Sequence, residues 1–286
     1  PDANFKAYLV GNTAINTNND TEIQLSEATV FNGTIDCSGL SISDLTGIES
    51  FTALTTLLCY SNQLTSLDVS QNTALSYLNC GNNQLTGLDV SLNIALTILH
   101  CSVSMLDLSQ NTVLYHLDCS YSQLTSLDLS QNTALTYLRC TFNQLTSLDL
   151  STNTALTILD CHANQLTSLD VSQNTALTYL SIYFNELTSL DLSNNIALTE
   201  LYCDYNQLTS LDVSTNTALT YLWCDMNQLT SFDVSQNTVL VEFSCSENQL
   251  TSLDVRNGNN INFSVFNSIN NPNLTCISVD DPVWST

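Results

Sequence analysis

A 21-residue motif, L-T-S-L-D-V-S-x-N-T-A-L-T-x-L-x-C-x-x-N-Q, returns from Leu64 to Leu253 and limits the possible folds more than any other feature. Ten copies are visible, and the spacing changes once, where Asp89 and Asp107 lie 18 residues apart. A repeat of this length cannot bury its own apolar residues, so successive copies must stack and share one core. The sequence therefore predicts a single right-handed solenoid.

Each copy contains two runs with apolar residues at alternate positions, L-x-C and L-D-V, and this alternation is typical of β-strands. Asparagines recur as strictly as the leucines, and an inward asparagine can bond backbone groups where the chain bends. Stacking such coils at about 4.8 Å per rung places leucine on leucine and cysteine on cysteine. We expect parallel strands on one side of each coil and short extended or helical turns opposite.

Residues 75–85 read L-S-Y-L-N-C-G-N-N-Q-L, which fits the pattern L-x-x-L-x-[LC]-x-x-N-x-L and resembles leucine-rich repeats. The match recurs over about 200 residues, with departures at Ser122 and Ile182. The repeat length is similar to arrays in secreted proteins of marine Bacteroidetes, which are segments of larger surface or exported proteins. Residues 42–48 resemble the opening repeats of internalin-like proteins. The resemblance implies a leucine-rich-repeat solenoid outside the cell or on its surface.

The chain is expected to have three parts. Residues 1–52 form an N-terminal cap with a helix ending near Gly11, an EF-hand-like loop and the opening repeats, residues 53–256 form the array, and residues 257–286 form a C-terminal cap. Caps of this kind cover the apolar edges of a solenoid. Trp284 is expected to lie over the exposed C-terminal edge.

The N-terminal cap contains the strongest metal signal. Asn16, Asn18, Asp20 and Glu27 occupy positions one, three, five and twelve of an EF-hand calcium loop, and Glu22 would offer its carbonyl at position seven. Position one lacks aspartate, however, and the turn glycine is absent. Two interpretations stay open, a calcium site and an asparagine-rich capping turn. Calcium is the one cofactor that the sequence suggests.

The cysteines recur at one position of the repeat and are expected to serve as small buried hydrophobes. Nine of them occupy the inward position of L-x-C, namely Cys59, Cys80, Cys101, Cys119, Cys140, Cys161, Cys203, Cys224 and Cys245. Cys276 differs because it lies in an outward column. Relatives suggest that its thiol has a partner beyond Thr286.

Composition restricts the possible partners. Three basic residues against 27 acidic ones give a net charge of −24, which excludes the cationic surface that nucleic acid or anionic lipid requires. No apolar run approaches the roughly 18 residues of a membrane span, and no leader precedes Pro1. We therefore expect a soluble segment of a longer gene product, with no direct insertion into a membrane.

An aspartate column, beginning at Asp68, points outward between serines such as Ser66 and Ser70. Neighbouring aspartates at rung spacing repel by about 1 kcal/mol per pair even at the dielectric constant of water. Hydrogen bonds from the serine hydroxyls and salt screening are expected to offset this repulsion. Weak cation binding along the column is the alternative.

A second candidate metal site combines His100, His116 and Asp118, because two imidazoles and one carboxylate on a shared face can hold a metal. The competing explanation is that these three residues occur together by chance, because the outward positions of this face vary from copy to copy. Asp118, Arg139 and Asp160 are expected to form a structural ladder of alternating charge. No Ser/His/Asp or Cys/His arrangement is evident, and dispersed carboxylates lack the pocket that separates their pKa values, so we expect no enzyme.

The outward positions around L-x-C differ in nearly every copy, whereas those of L-D-V-S hardly vary. Seven aromatic side chains fall on three successive rungs of the variable face, and exposed apolar patches with Tyr and Trp mark interaction sites. The candidate ligand-binding residues, with the carboxylates that border them, are Tyr179, Tyr183, Phe184, Glu200, Tyr202, Asp204, Tyr205, Tyr221, Trp223 and Asp225.

The sequence thus favours a non-enzymatic extracellular or cell-surface module that binds a protein or polysaccharide through this face. The alternative is a structural spacer or adhesive stalk segment of a larger secreted or surface protein.

Overall fold

A computed structural model describes residues 2–281 and 283, so Trp284 lies outside the described residues. Packing divides the chain into two compact units, residues 1–135 and 136–286. Both units consist of the same stacked coil, and the fold is a parallel-strand solenoid with a small helical segment at its N-terminal end.

The first unit contains two α-helices, a 3-10 turn at Ile48–Ser50 and five short parallel strands in sequential order. These helices and strands are α1 (Ala3–Gly11), α2 (Leu25–Ala28), β1 (Thr34–Asp36), β2 (Thr56–Leu58), β3 (Tyr77–Asn79), β4 (Ile98–His100) and β5 (His116–Asp118). Each strand comes from one coil, so the sheet grows by one strand per repeat.

The second unit contains two parallel sheets and a 3-10 turn at Asn260–Asn262. Its strands are β6 (Tyr137–Arg139), β7 (Ile158–Asp160), β8 (Tyr179–Ser181), β9 (Glu200–Tyr202), β10 (Tyr221–Trp223), β11 (Ser231–Asp233), β12 (Glu242–Ser244), β13 (Ser252–Asp254), β14 (Val265–Asn267) and β15 (Ile277–Ser278). Strands β6 to β10, then β12 and β14, form the larger sheet, and β11, β13 and β15 form the smaller one.

The core of each unit is a set of stacked columns. The middle residue of each repeat strand is inward, and register pairs Leu57 with Leu78 and Leu78 with Leu99. The cysteine of L-x-C is buried beside this column, as predicted, and burial raises the pKa of the Cys80 thiol to about 12. The inward thiols therefore stay protonated at neutral pH and pack as small apolar groups.

Two asparagine columns hold the bends, as the sequence predicts. The Asn93 side-chain amide donates to the carbonyl oxygens of Val69 and Asn72 in the preceding coil, at 3.0 and 2.9 Å. At the other bend, the amide of Asn83 donates to the carbonyl oxygen of Cys59 at 3.0 Å. These bonds satisfy buried backbone groups that a turning chain would otherwise leave unpaired.

The prediction of a second strand at L-D-V was wrong for most of the described copies, because this run forms the strands β11 and β13 and, apart from an isolated bridge between Leu88 and Leu106, is not paired as a strand in the others. Side chains take the backbone donors at its ends. The N–H of Leu64 donates to Asn83 Oδ1 at 3.0 Å, and the N–H of Ser70 donates to Asp68 Oδ1 at 2.9 Å. Equivalent bonds run from Leu229 to Asn248 and from Ser235 to Asp233 in the coil of β11, so they form whether or not the run pairs as a strand.

The N-terminal helix α1 lies where the sequence predicts it and ends at Gly11. Asp2 caps it by accepting the N–H groups of Asn4 and Phe5, and Phe5 and Leu9 bury its apolar face. The division at residue 135 lies within the repeat array and tests neither cap boundary, so the boundaries after residues 52 and 256 stay predictions. Within the described residues, no helix has the length and apolarity required to cross a membrane.

Candidate ligand-binding face

Five of the ten predicted ligand-binding residues lie on adjacent strands of the second unit. We call Tyr179, Glu200, Tyr202, Tyr221 and Trp223 the strand row. Register aligns Tyr179, Glu200 and Tyr221 in one column and places Tyr202 beside Trp223 in the other. The repeat produces this alignment because equivalent positions in successive coils become neighbours about 4.8 Å apart.

Aromatic rings of the strand row contact one another. The ring centroids of Tyr179 and Tyr202 are 5.6 Å apart, and those of Tyr202 and Trp223 are 6.1 Å apart in an edge arrangement. The Tyr202 hydroxyl donates to Glu200 Oε2 at 3.0 Å. Burial, together with Glu200, raises the pKa of Tyr202, so the hydroxyl remains a donor. Trp223 is 36% exposed and gives the row an accessible apolar surface.

Three further aromatic side chains, Tyr183, Phe184 and Tyr205, form a second row in the loops that follow the strands, which we call the edge row. Phe184 and Tyr205 stack at 4.0 Å, and Tyr183 contacts Phe184 edge-on at 5.6 Å. Phe184 and Tyr205 are 49% and 43% exposed. The aromatic surface therefore consists of two rows on different parts of the coil, where the sequence suggested one patch.

Phe184 and Tyr205 have left-handed backbone conformations, with φ of 53° and 52°. The position before the inward asparagine has this geometry in other coils too, and Asn82 fills it in the first unit. Asparagine tolerates the left-handed region, whereas a bulky side chain there is strained. The edge row therefore places large rings at positions that smaller residues would fill with less strain.

Asp204 and Asp225 are less accessible than their predicted place at the border of the patch implies. Asp204 is 8% exposed, and its Oδ1 accepts the N–H of Asp225 at 2.9 Å. Burial raises the pKa of Asp204 to about 7. Asp225 Oδ1 accepts the hydroxyl groups of Ser244 and Ser246 at 2.6 and 2.7 Å. These bonds tie successive coils together beneath the edge row.

Sequence reasoning missed a buried pair, Asp160 and His162. Asp160 Oδ1 lies 2.6 Å from His162 Nδ1, and Asp160 Oδ2 accepts Arg139 Nε at 3.2 Å. Burial opposes the charge of Asp160, but the His162 hydrogen bond and the Arg139 charge lower its pKa. His162 stacks on Tyr183 at 4.0 Å. The signal was the alternation in Asp160-Cys161-His162, which places both side chains on the side opposite Cys161.

His100, His116 and Asp118 come together on neighbouring strands, as expected, and a metal site there stays a prediction. The two imidazole rings stack at 5.0 Å, and burial lowers the pKa of both histidines. Asp118 Oδ1 instead accepts the N–H of Ser120 at 3.0 Å. No group of three or more His, Cys, Asp or Glu side chains in the described part of the chain is arranged to hold a metal ion.

The EF-hand-like loop is closed by hydrogen bonds to Glu27. Its Oε1 accepts the N–H and hydroxyl of Thr17 at 2.7 and 2.9 Å and the N–H of Asn18 at 3.3 Å. Its Oε2 accepts the N–H of Gln24 at 3.0 Å, which caps α2. The backbone hydrogen bond from Gln24 is the main cause that lowers the pKa of Glu27.

The remaining loop residues also have protein partners. The amide of the buried Asn16 donates to the carbonyl of Asp20 at 2.9 Å, and Asp20 Oδ2 accepts Asn18 Nδ2 at 3.0 Å. The Glu22 carboxylate pairs with Lys6 at 2.6 Å. A calcium ion would therefore compete with these donors, and the donor set in this conformation suits a capping turn better. Calcium binding stays a prediction, which a calcium titration can test.

The fold has solved counterparts. No protein-family model matches the sequence. Internalin J of Listeria monocytogenes is 43% identical over 73 residues, which are 25% of this chain and 8% of that protein. The solved functional domain of InlJ from the same species has a TM-score of 0.89 at 41% identity, covering 96% of this chain and 61% of that one. The fold is an internalin-type leucine-rich repeat.

Two further solved structures share the leucine-rich-repeat fold. The internalin InlF of Listeria monocytogenes has a TM-score of 0.81 at 24% identity and covers 100% of this chain and 92% of its own. The plant peptide hormone receptor RGFR1, solved in complex with RGF2, has a TM-score of 0.64 at 20% identity, covering 86% and 45%. Both likenesses concern the fold alone. This chain spans less than two thirds of the InlJ domain and a small part of internalin J. The likeness of its repeats to marine Bacteroidetes arrays stays a resemblance.

Like the InlJ domain, which is described as including a cysteine ladder, this internalin-type coil contains cysteines on successive rungs. Cys276 is exposed, unlike the ten buried cysteines. Its expected partner beyond Thr286 stays a prediction.

The aspartate column is stabilised within each coil. Asp68 has a lowered pKa because the N–H of Ser70 and then the Ser70 hydroxyl donate to its carboxylate. Asp170 and Ser172 repeat the arrangement in the second unit. Serine hydroxyls contribute as expected, and at Asp68 and Asp170 the backbone donor, which the sequence analysis had not included, contributes more. Cation binding along the column stays an untested alternative.

Proposed function

We propose that this chain is a non-enzymatic extracellular or cell-surface module that recognises a protein or polysaccharide through the strand row and the edge row. The observation that carries the proposal is the contact between Tyr202 and Trp223 on adjacent strands, beside the half-buried Tyr179 and Tyr221. Exposed aromatic clusters of this kind usually mark interaction sites, and Tyr and Trp supply large contact areas at small entropic cost.

The edge row supports the same proposal. Phe184 and Tyr205 expose their stacked rings from left-handed backbone positions, where an asparagine such as Asn82 would be less strained. Other coils have the same backbone conformation at this position, so the edge row is distinguished by the exposure of its two stacked rings. Solvation alone provides no reason to place aromatic rings there.

The fold also fits a binding role. Internalin-type domains are typically protein-binding surface modules, and RGFR1, which shares the fold, was solved in complex with RGF2. Function resides in the site and not in the fold, so the partner must be argued from the residues of the face. The extracellular or cell-surface location is likewise part of the proposal.

The most enzyme-like group in the described residues supports a non-enzymatic role. Asp160 and His162 resemble the acid and base of a catalytic site, but each is only 5% exposed. His162 is also covered by the ring of Tyr183 at 4.0 Å. A substrate could not reach the imidazole without displacing the edge row, so the pair serves better as support for that row.

Binding to a panel of purified secreted proteins and soluble polysaccharides tests the proposal. Changing both Tyr202 and Trp223 to alanine should abolish binding of the partner. The Ser210→Ala and Ser231→Ala double variant changes the face of the coil that carries the aspartate column, which we call the aspartate face, and it should bind normally. Loss of binding only in the serine variant would show that the binding site lies on the aspartate face, and the proposal would then be wrong. Failure of the intact protein to bind any member would favour the structural spacer or stalk segment.

A further inference from the structure

We propose that the strand row binds a protein that presents arginine or lysine side chains, and that Glu200 and Glu242 pair with two of them. The inference rests on the proposed function and adds the chemical class of the partner. Four residues carry it, namely Tyr179, Glu200, Tyr221 and Glu242, which we call the tyrosine-glutamate column.

The column alternates aromatic and acidic side chains on four strands that are neighbours in the sheet. Register pairs Tyr179 of β8 with Glu200 of β9, Glu200 with Tyr221 of β10, and Tyr221 with Glu242 of β12. Adjacent parallel strands are about 4.8 Å apart, so each carboxylate has an aromatic ring within one rung. Ion-pair and cation-π contacts to one cationic group are therefore both possible at each glutamate.

The chain has no basic side chain to neutralise this column. All three of its basic side chains, Lys6, Arg139 and Arg256, pair with other carboxylates at 2.6, 3.2 and 2.5 Å. Glu200 and Glu242 accept hydrogen bonds only from neutral hydroxyl groups in the described part of the chain. Both carboxylates therefore face outward with uncompensated charge on a molecule of net charge −24.

A cationic side chain complements this surface better than a neutral sugar. Sugar hydroxyls can bond a carboxylate, but they leave its charge uncompensated, whereas an arginine offers a charged planar group that also stacks on aromatic faces. Tyr202 already directs its hydroxyl at Glu200 Oε2, which holds that carboxylate in place for a partner. The charge complementarity therefore selects a basic protein segment.

The spacing of the two carboxylates adds a requirement. Glu200 and Glu242 lie two rungs apart, which is about 10 Å. In a polyproline II helix, residues three apart lie on one face with a rise of about 9 Å. A partner segment with two arginines three residues apart in that conformation would place one guanidinium at each glutamate.

The experiment compares two peptides of the same composition, PPRPPRPP and PPPRRPPP, for binding to the full chain by fluorescence anisotropy. The first should bind several-fold more tightly at low salt. The Glu200→Gln and Glu242→Gln double variant should weaken its binding at least tenfold. The matched control is the Asp191→Asn and Asp212→Asn double variant, which loses the same charge on the aspartate face and should change binding less than twofold.

Equal weakening in both double variants would show non-specific attraction to an acidic protein and would overturn the inference. So would equal binding of the two peptides. Binding of neutral polysaccharides is measured in parallel for the natural protein and for the Tyr202→Ala and Trp223→Ala double variant. This comparison distinguishes failure of the basic-partner inference from failure of the proposed function. Polysaccharide binding that requires the two aromatic residues, with no specific peptide binding, would leave the proposed function standing and replace the basic partner with a glycan.

Discussion

Asp204 Oδ1 accepts the backbone N–H of Asp225, one coil further along, at 2.9 Å. The bond places two acidic residues in contact beneath the edge row, and Asp204 is almost wholly buried. A buried carboxyl group beside a second one is more stable in the protonated form. Burial accordingly raises the pKa of Asp204 to about 7.

This relationship predicts a pH-dependent stability. Because the folded-state pKa is above the unfolded value near 4, the contribution of Asp204 is fully present below about pH 4 and is lost as pH rises through about 7. An asparagine side chain would mimic the protonated acid, so Asp204→Asn should be more stable than the natural protein at pH 8, and this advantage should be smaller at pH 5. A shift of about three pKa units has an upper limit of roughly 4 kcal/mol, and relaxation reduces it, so we expect about 2 kcal/mol.

Urea denaturation at pH 5 and pH 8 measures this difference. Asp191→Asn is the matched control because Asp191 is exposed and has a lowered pKa, owing to the N–H and hydroxyl of Ser193. Its contribution changes only at acidic pH, so the control should show no gain between pH 5 and 8. A stability gain for Asp204→Asn that is equal at both pH values would contradict the raised pKa.

The cysteine column predicts a simple thiol count. A thiol reagent should modify one cysteine, Cys276, in the folded protein and all eleven in denaturant, because the other ten are buried and burial raises the pKa of thiols such as Cys80. Labelling followed by peptide mass mapping identifies the modified position. Rapid modification of Cys80 in the folded state would show that the column is open to solvent or reactive.

Within that column, Cys161→Ala and Cys161→Ser should differ in stability. Alanine loses only packing, whereas serine buries a hydroxyl where a thiol served as an apolar group, which costs roughly 1–3 kcal/mol more. Denaturation midpoints of the two variants give the comparison. Equal midpoints would mean that the site is polar or hydrated.

The period of the sequence predicts much of the fold because every coil repeats the same constraints. Alternate apolar positions in L-x-C and the recurring asparagines determine where the strands and bends lie. L-D-V has the same alternation but mostly remains unpaired, although the side-chain bonds at its ends are the same in the coil of β11 as in the unpaired copies. Alternation alone does not reveal whether a backbone donor pairs with a strand or with a side chain.

The candidate site was predictable where it depends on register and unpredictable where it depends on side-chain packing. Tyr202 and Trp223 occupy equivalent positions in consecutive coils, so the period makes them neighbours. The burial of Asp204 and of the Asp160 and His162 pair depends on which side chains the flanking coils contribute. The alternation in Asp160-Cys161-His162 places two of these side chains on one side of the strand, but it does not show that neighbouring coils bury them.

The two interpretations of the N-terminal loop, a calcium site and a capping turn, predict different effects of calcium on the melting temperature. Since the Glu27 carboxylate already accepts the N–H groups of Thr17, Asn18 and Gln24, we expect the melting temperature to be the same in calcium and in chelator. Glu27→Gln should lower the melting temperature in both, because it removes a charged acceptor from the cap. A rise with calcium in the natural protein that disappears in Glu27→Gln would establish the calcium site.

The last prediction concerns the support of the edge row by Asp160 and His162. His162→Phe retains a ring to stack on Tyr183 but removes the 2.6 Å hydrogen bond, and Asp160→Asn weakens the same bond and the pairing with Arg139. A double-mutant cycle should give a coupling energy of about 1–3 kcal/mol, because the bond is buried and its acceptor is charged. Coupling near zero would show that Asp160 depends on Arg139 alone. His162→Ala, which also removes the stacking, should in addition weaken partner binding through displacement of Tyr183, whereas His162→Phe should retain it.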